Sequence, residues 1–246
     1  MDTVGRFSDR AADYVRYRPG YPDEAVSAIL DGLGPQERLV AADVGAGTGI
    51  SARLLGDRGV RVVAVEPGEV MRRAAAPHRN VAWVGGRAEA TGLRSQAFHI
   101  VLCAQAFHWF RTAEVLPEFA RILKRGARLA IMWNRRSMHD PLTVGYRQAI
   151  VDVGAEIADE TRAFDPDVIA RGGLFSPPER TSFPNSQRFD LEGLIGRAMS
   201  TSYVPRSGPG GERMTHLLRD LHARHADANG LVTLVYETEV FASTRL

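Results

Sequence analysis

Short apolar runs recur along the first half of the chain, separated by segments whose apolar residues fall at helical spacing. Residues 60–65 (VRVVAV), 81–84 (VAWV), 98–104 (FHIVLCA) and 127–133 (ARLAIMW) read as strands, as does 38–44. Between them, 23–33 places Val26, Ile29, Leu30 and Leu33 on one helical face. Residues 48–58 do the same with Ile50, Leu54 and Leu55, and 69–76 is a shorter helix. Residues 112–124 align Val115, Leu116, Phe119, Ile122 and Leu123. Strands that are apolar throughout are buried on both faces. Regular alternation of such strands with helices predicts a parallel sheet covered by helices.

The texture changes after Asn134. Residues 135–180 are more polar, with helical patches and a loop-rich stretch around Phe175-Ser176-Pro177-Pro178. A strand is expected over 180–190, helices over 191–200 and 212–226, and a last strand over 231–242. A Gly/Pro break, SGPGGE, separates the two helices. No repeat and no linker interrupts the chain. The expected organisation is one domain, 1–246, with an N-terminal cap (1–34), a core (35–134), and a part (135–246) that forms a lid and supplies the last strands.

Composition narrows the class of protein. A net charge of +2 over 246 residues is close to neutral, and Lys124 is the only lysine. No basic cluster persists, so no nucleic-acid footprint is read. Cys103 is the single cysteine, in the apolar setting IVLCA, which excludes an intrachain disulfide and favours a buried structural thiol. No metal site is expected. The N-terminus, MDTVGRFSDR, lacks the apolar core of a signal peptide. No apolar run approaches the ~20 residues of a membrane span. A cytoplasmic protein is expected, with no membrane partner.

Candidate chemistry begins at residues 39–49, LVAADVGAGTG. A strand running into a glycine-rich turn and a helix offers backbone N–H groups to a ligand. Alone, the turn fits a plain corner, a dinucleotide site or another nucleoside site. The spacing Gly45-Ala46-Gly47-Thr48-Gly49 is GxGxG, not the dinucleotide GxGxxG. Asp43 would repel a pyrophosphate and suits a ligand bearing an ammonium and a sulfonium. Glu66, ending the next strand, is placed to accept hydrogen bonds from both hydroxyls of a ribose.

Asp43 to Gly49 followed by Glu66 resembles the binding signature of class I S-adenosylmethionine-dependent methyltransferases. The similarity continues through Gly86-Arg87-Ala88-Glu89-Ala90-Thr91-Gly92-Leu93, Ala104-Gln105-Ala106-Phe107-His108-Trp109-Phe110 and Glu118-Phe119-Ala120-Arg121-Ile122-Leu123-Lys124. These segments, and Tyr14 to Pro22, resemble the small-molecule type 11 branch that includes trans-aconitate methyltransferase-like proteins. The resemblance implies a Rossmann-like, doubly wound α/β fold. Its sheet would be seven-stranded and mostly parallel, with a C-terminal antiparallel strand and a partial lid.

The resemblance also implies roles. Gly45, Ala46 and Gly47 bring the backbone against the methionine portion of S-adenosylmethionine, and Asp43 lies beside its amino group. Glu66 holds the ribose, Pro67 flanks the adenine, and Ala88 and Glu89 lie in the loop lining it. Gln105 stands near the methyl-bearing sulfur. Tyr14 and Arg18 belong to a segment closing over the cofactor, with Arg18 paired to its carboxylate. Three positions depart from the pattern: Arg87, where relatives carry an acidic or small residue; His99, where many have Asp; and Arg125-Gly126-Ala127 in place of Pro-Gly-Gly.

Methyl transfer from a sulfonium is an in-line displacement needing alignment and exclusion of water. A hydroxyl acceptor needs a base, and a carboxylate acceptor does not. His108, after the fourth strand, and His139, after the fifth, are the candidate bases; the alternative for His108 and Trp109 is that they pack and hydrogen-bond to shape the pocket. Asn134 either orients a substrate or caps a turn. His216, His222 and His225 read as a solvated helix face. Phe175, Tyr203 and Trp133 line a pocket or pack the core. The expected activity is methyl transfer to a small organic acceptor, with O-methylation ahead of N- or C-methylation. The alternatives are an NAD(P)-dependent oxidoreductase and a catalytically silent cofactor-binding protein. The oligomeric state is left open.

Overall fold

The apolar runs and helical stripes become alternating layers in the computed structural model, which describes residues 15–154, 165–201 and 203–246. The chain runs α1 (Asp23–Leu30), β1 (Val40–Val44), α2 (Ile50–Asp57), β2 (Arg61–Val65), α3 (Glu69–Ala74), β3 (Val81–Val84) and β4 (Phe98–Ala104). It continues through α4 (Thr112–Ile122), β5 (Leu123–Arg136), α5 (Pro141–Asp152), β6 (Glu179–Phe189), α6 (Leu191–Met199), α7 (Gly208–His225) and β7 (Val232–Thr244).

The seven strands form one sheet in the order β3-β2-β1-β4-β5-β7-β6. Pairings from β3 across to β5 are parallel, and β7 runs antiparallel to both β5 and β6. The expected seven-stranded, mostly parallel α/β sheet with an antiparallel C-terminal strand is therefore present.

Alternation along each strand divides the core. Ala41, Val62, Ala64, Ile100, Leu102 and Met132 pack under α1 and α2. Their neighbours Ala42, Val44, Val101, Cys103 and Ile131 face α4, where Val115, Leu116, Phe119 and Ile122 are buried. Phe175 belongs to this second cluster, so it packs core. A third cluster joins α5, α6 and α7 to the inner residues of β7, and Tyr17 of the N-terminal segment inserts into it. Cys103 is buried, and burial pushes its thiol well above the usual range.

Two boundaries differ from the sequence expectation. β5 starts at Leu123, directly after α4, and reaches Arg136. Its register against β4 jumps from Phe98↔Leu123 to Ile100↔Arg128, which sets Lys124–Ala127 opposite His99 alone and makes a bulge within the strand. The SGPGGE segment is not a break, because α7 begins at Gly208. Pro209 falls in the first turn, where the missing N–H has no intrahelical partner to lose.

His99 lies near the start of β4, at the edge opposite the glycine loop. Its Nδ1 accepts from the Val40 N–H at 3.0 Å, and Lys124 Nζ is 2.7 Å from Nε2. Burial, then the Lys124 and Arg61 charges, hold its pKa below the ordinary value.

Phe119 is fully buried between α4 and the sheet. Phe119→Ala should destabilise the protein by about 3–5 kcal/mol through lost burial and the cavity left behind. Urea denaturation, read as a lower midpoint at unchanged slope, checks this.

Candidate active site

The sheet order places a crevice at the carboxyl edge. From β1 the chain winds outward through β2 and β3, and β4 and β5 wind the other way, so the loops after β1 and β4 diverge. Such a switch point is where open α/β sheets bind ligands. The ladder extends past the strand ends into these loops. Gly45 and Ala46 N–H groups donate to Val65 O (2.9 and 3.2 Å), Glu66 N–H to Val84 O (3.1 Å), and Gln105 N–H to Met132 O (2.9 Å).

The glycine loop needs its glycines. Gly45, Gly47 and Gly49 have φ of 73°, 57° and 77°, a region that L side chains rarely adopt. A Cβ on Gly45 would stand 2.7 Å from Ala106 Cβ and 3.0 Å from Phe110 Cζ. On Gly49 it would stand 2.8 Å from Trp83 Cζ2. The loop is thus wedged between the segment after β4 and the indole on β3.

Glu66 ties this loop to the next. Its Oε2 accepts from the Gly47 N–H at 3.0 Å and its Oε1 from the Gly68 N–H at 2.8 Å. Burial raises its pKa, and those two amides pull it back. Arg72 closes the outer side, donating from Nη1 to the carbonyls of Glu66 (2.6 Å) and Pro67 (2.9 Å). Pro67 itself is exposed.

Asp43 is completely buried behind the loop, on the α2 side of the sheet. Ser51 Oγ donates to its Oδ2 at 2.7 Å. Among the described residues, Asp43 Oδ1 and Thr48 Oγ1 are buried without a hydrogen-bond partner. Desolvation raises the Asp43 pKa to about 7, against hydrogen bonds from Ser51 and the Ala52 backbone and reinforced by the Glu66 charge. Burial thus opposes ionisation of the carboxyl that the sequence places beside the loop. Two unsatisfied buried oxygens at the loop fit a polar, donor-bearing ligand such as the amino-acid end of S-adenosylmethionine.

The Gly86–Leu93 segment follows β3. Ala88 is buried and Glu89 half-buried, with Arg87 Nε 3.7 Å from Glu89 Oε2. Its far end is pinned from α4. The Thr91 N–H and hydroxyl both donate to Glu118 Oε1 (2.9 and 2.5 Å). Arg121 binds the Glu118 carboxylate (2.6 Å) and the Leu93 carbonyl (2.8 Å). Sequence reading assigned this pair no role; its i, i+3 spacing on a helix is the signal that was available.

After β4, Gln105 adopts φ 56° without being glycine, a conformation that marks functional sites when the surroundings enforce it. Its Nε2 donates to Asn134 O at 3.1 Å. The His108 ring lies between two indoles, with centroids 4.4 Å from Trp109 and 5.1 Å from Trp133. Trp133 also packs against the α4-side core cluster. His139 is exposed on the loop after β5. Arg18 is half-buried, and Tyr14 lies outside the described residues. Tyr203 packs on the α5–α7 cluster. His216 faces Asp220 at 3.5 Å, and His222 Nε2 lies 3.0 Å from Gly230 O. Among the described residues there is no group of three or more potential metal ligands, and no helix long and apolar enough to cross a membrane.

Comparison with known proteins identifies the class of the chain. Residues 42–131 match the family model described as a methyltransferase domain. The chain is 34% identical to uncharacterized methyltransferases of Mycobacterium tuberculosis and Mycobacterium bovis, over 97% of this chain and 95% of theirs. The chain belongs to this methyltransferase family, and it is an S-adenosylmethionine-dependent enzyme of the Rossmann-like class. An Anaeromyxobacter dehalogenans structure, provisionally described as a type II methyltransferase, shares the fold. Its TM-score is 0.69 at 23% identity, covering 93% of this chain and 98% of that one. So does phosphoethanolamine N-methyltransferase 2 of Haemonchus contortus, with TM-score 0.57 and 15% identity, covering 97% of this chain and 57% of that one. The oxidoreductase alternative finds no support in these matches.

The buried Asp43 sets a pH dependence. Its folded pKa is raised from 3.8 to about 7, so the native state holds a proton that the unfolded state releases. The stability this contributes is full below pH ~4 and is lost as pH rises through ~7. Asp43→Asn, which stays neutral, should match the wild type near pH 4 and exceed it above pH 7 by on the order of 4 kcal/mol. Denaturation midpoints of both proteins across that range check it.

Proposed function

We propose that the enzyme methylates an oxygen atom of a small organic acceptor, in the manner of the trans-aconitate methyltransferase-like type 11 branch. One observation carries the cofactor half of this reading. The Glu66 carboxylate is fixed by Gly47 and Gly68 at the switch point, with two unsatisfied buried oxygens behind the same loop. Each Glu66 oxygen accepts a single amide, which leaves a lone pair on each for a ribose hydroxyl. Gly45, Ala46 and Gly47 then face the methionine portion, with Asp43 behind its amino group. Pro67, Ala88 and Glu89 flank the adenine, and Arg18, with Tyr14, takes the carboxylate. On this reading the chain divides into an N-terminal cap (1–34), a cofactor-binding core (35–134) and a part that forms the substrate lid and supplies the last strands (135–246).

S-adenosylmethionine supplies an electrophilic methyl group on a sulfonium. The chain supplies position, a dry wall and a proton acceptor. Gln105, held by β5 through the Asn134 carbonyl, orients the sulfur side of the site. Trp109 and Trp133 exclude water around His108. His108 receives the acceptor's proton when the acceptor is a hydroxyl, and only orients it when the acceptor is a carboxylate. His139, exposed on the next loop, is the second candidate base. The acceptor is a free small molecule rather than a nucleic acid, in keeping with the absence of a basic run in the sequence.

Isothermal titration with S-adenosylhomocysteine should show 1:1 binding, weakened at least about tenfold by Glu66→Ala, a loss of ~1.4 kcal/mol. A labelled-methyl assay over small carboxylates and hydroxy compounds should yield a base-labile ester or an ether. His108→Gln should lower kcat and leave the KM for S-adenosylmethionine unchanged. Tight NADH binding with no response to S-adenosylhomocysteine would sink this function.

A further inference from the structure

The carbonyl of Gly20 is gripped from two strands. Asn134 Nδ2, on β5, donates to it at 2.9 Å, and Asn185 Nδ2, on β6, at 3.1 Å. The two amides are joined to each other, since Asn185 Nδ2 lies 3.0 Å from Asn134 Oδ1. Thr238, on the intervening β7, donates its hydroxyl to the same Oδ1 at 2.5 Å. Asn185 Nδ2 also lies 3.2 Å from Thr238 Oγ1, so its two hydrogens are shared among three acceptors, and both lone pairs of the Gly20 carbonyl are used. A further tie lies beside it: Gln187 Nε2 donates to the Tyr17 carbonyl at 3.3 Å, and Tyr236 OH donates to Gln187 Oε1 at 3.4 Å. The Tyr17 ring covers Gly196, where a Cβ would come within 2.4 Å of it.

Packing of Tyr17 alone would hold this segment without fixing its register along the sheet. The amides fix the register. In Arg18-Pro19-Gly20-Tyr21-Pro22 each proline locks its own φ and restricts the residue before it, which leaves Gly20 as the free joint that the amides hold. Arg18 lies between two held carbonyls, Tyr17 O and Gly20 O, and the proline that follows it restricts the Arg18 backbone. The clamp also reaches the other side of the site. The backbone carbonyl of Asn134 receives the side chain of Gln105, the left-handed residue after β4. Asn134 thus holds the N-terminal segment with its side chain and the β4 loop with its main chain.

We propose that Asn134 and Asn185 are positioning residues for cofactor binding. They clamp Gly20 so that Arg18 and Gln105 are held in fixed relation across the cofactor site. This rests on the assignment of Arg18 to the cofactor carboxylate.

Asn185→Asp tests it. The substitution keeps shape but turns a donor into an acceptor facing Gly20 O and Asn134 Oδ1. It should weaken S-adenosylhomocysteine binding about tenfold or more by titration calorimetry. Tryptic cleavage at Arg16–Tyr17 should also accelerate, Arg18–Pro19 being resistant. A structural role alone would weaken binding equally in any background. Action through Arg18 predicts that, in Arg18→Gln protein, Asn185→Asp causes no further loss. Thr238→Val removes the hydroxyl that contacts both Asn134 and Asn185. It should weaken binding a few-fold, and it serves if Asn185→Asp does not fold. If the wild type fails to bind S-adenosylhomocysteine, the proposed function falls. If it binds, an unchanged affinity in both Asn185→Asp and Thr238→Val, or equal losses with and without Arg18, overturns the clamp.

Discussion

The carboxylate of Glu66 is the bond on which the rest of the site is hung. It accepts from Gly47 on one loop and from Gly68 on the next, and so joins the ends of two parallel strands beyond their last ladder hydrogen bond. Parallel strands leave their carboxyl ends as unfinished rows of polar groups. In this protein the rows are finished by loop amides and by one acidic side chain. The left-handed glycines make that geometry reachable, and the packing of Ala106, Phe110 and Trp83 against them leaves no alternative course for the loop.

The first half of the fold was legible because its chemistry is extreme. Strands such as VRVVAV and FHIVLCA are apolar on both faces, and only a sheet covered on both sides accommodates them. Legibility failed where two rules overlapped. Ile122 and Leu123 fit both the end of a helix and the start of a strand, so the junction between α4 and β5 was invisible. Glycine and proline in SGPGGE signal a break anywhere except a helix's first turn, which is where they stand.

At the site, residue types were readable and environments were not. A strand-end aspartate before a glycine loop looks charged and open; its burial depends on Ser51 and α2 folding over it. The Glu118–Arg121 pair looks like an exposed helical ion pair, yet it spends its hydrogen bonds on Thr91 and Leu93 of another loop. Asn134 and Asn185 lie far apart in sequence and belong to strands separated by β7, so only the sheet order brings their amides onto one carbonyl. The aromatic neighbours of His108 show the same limit: Trp109 is adjacent in sequence, whereas Trp133 arrives from β5.

The chain carries a single side-chain amine, on Lys124, against a large population of arginines. That amine sits beside His99, at the amino-terminal edge of the parallel strands, while the glycine loop, Glu66 and Gln105 all sit at the carboxyl edge. The side-chain amine thus marks one pole of the sheet. Lysine-directed attachment to a surface or a dye would anchor the molecule by that pole and leave the reactive end facing solution.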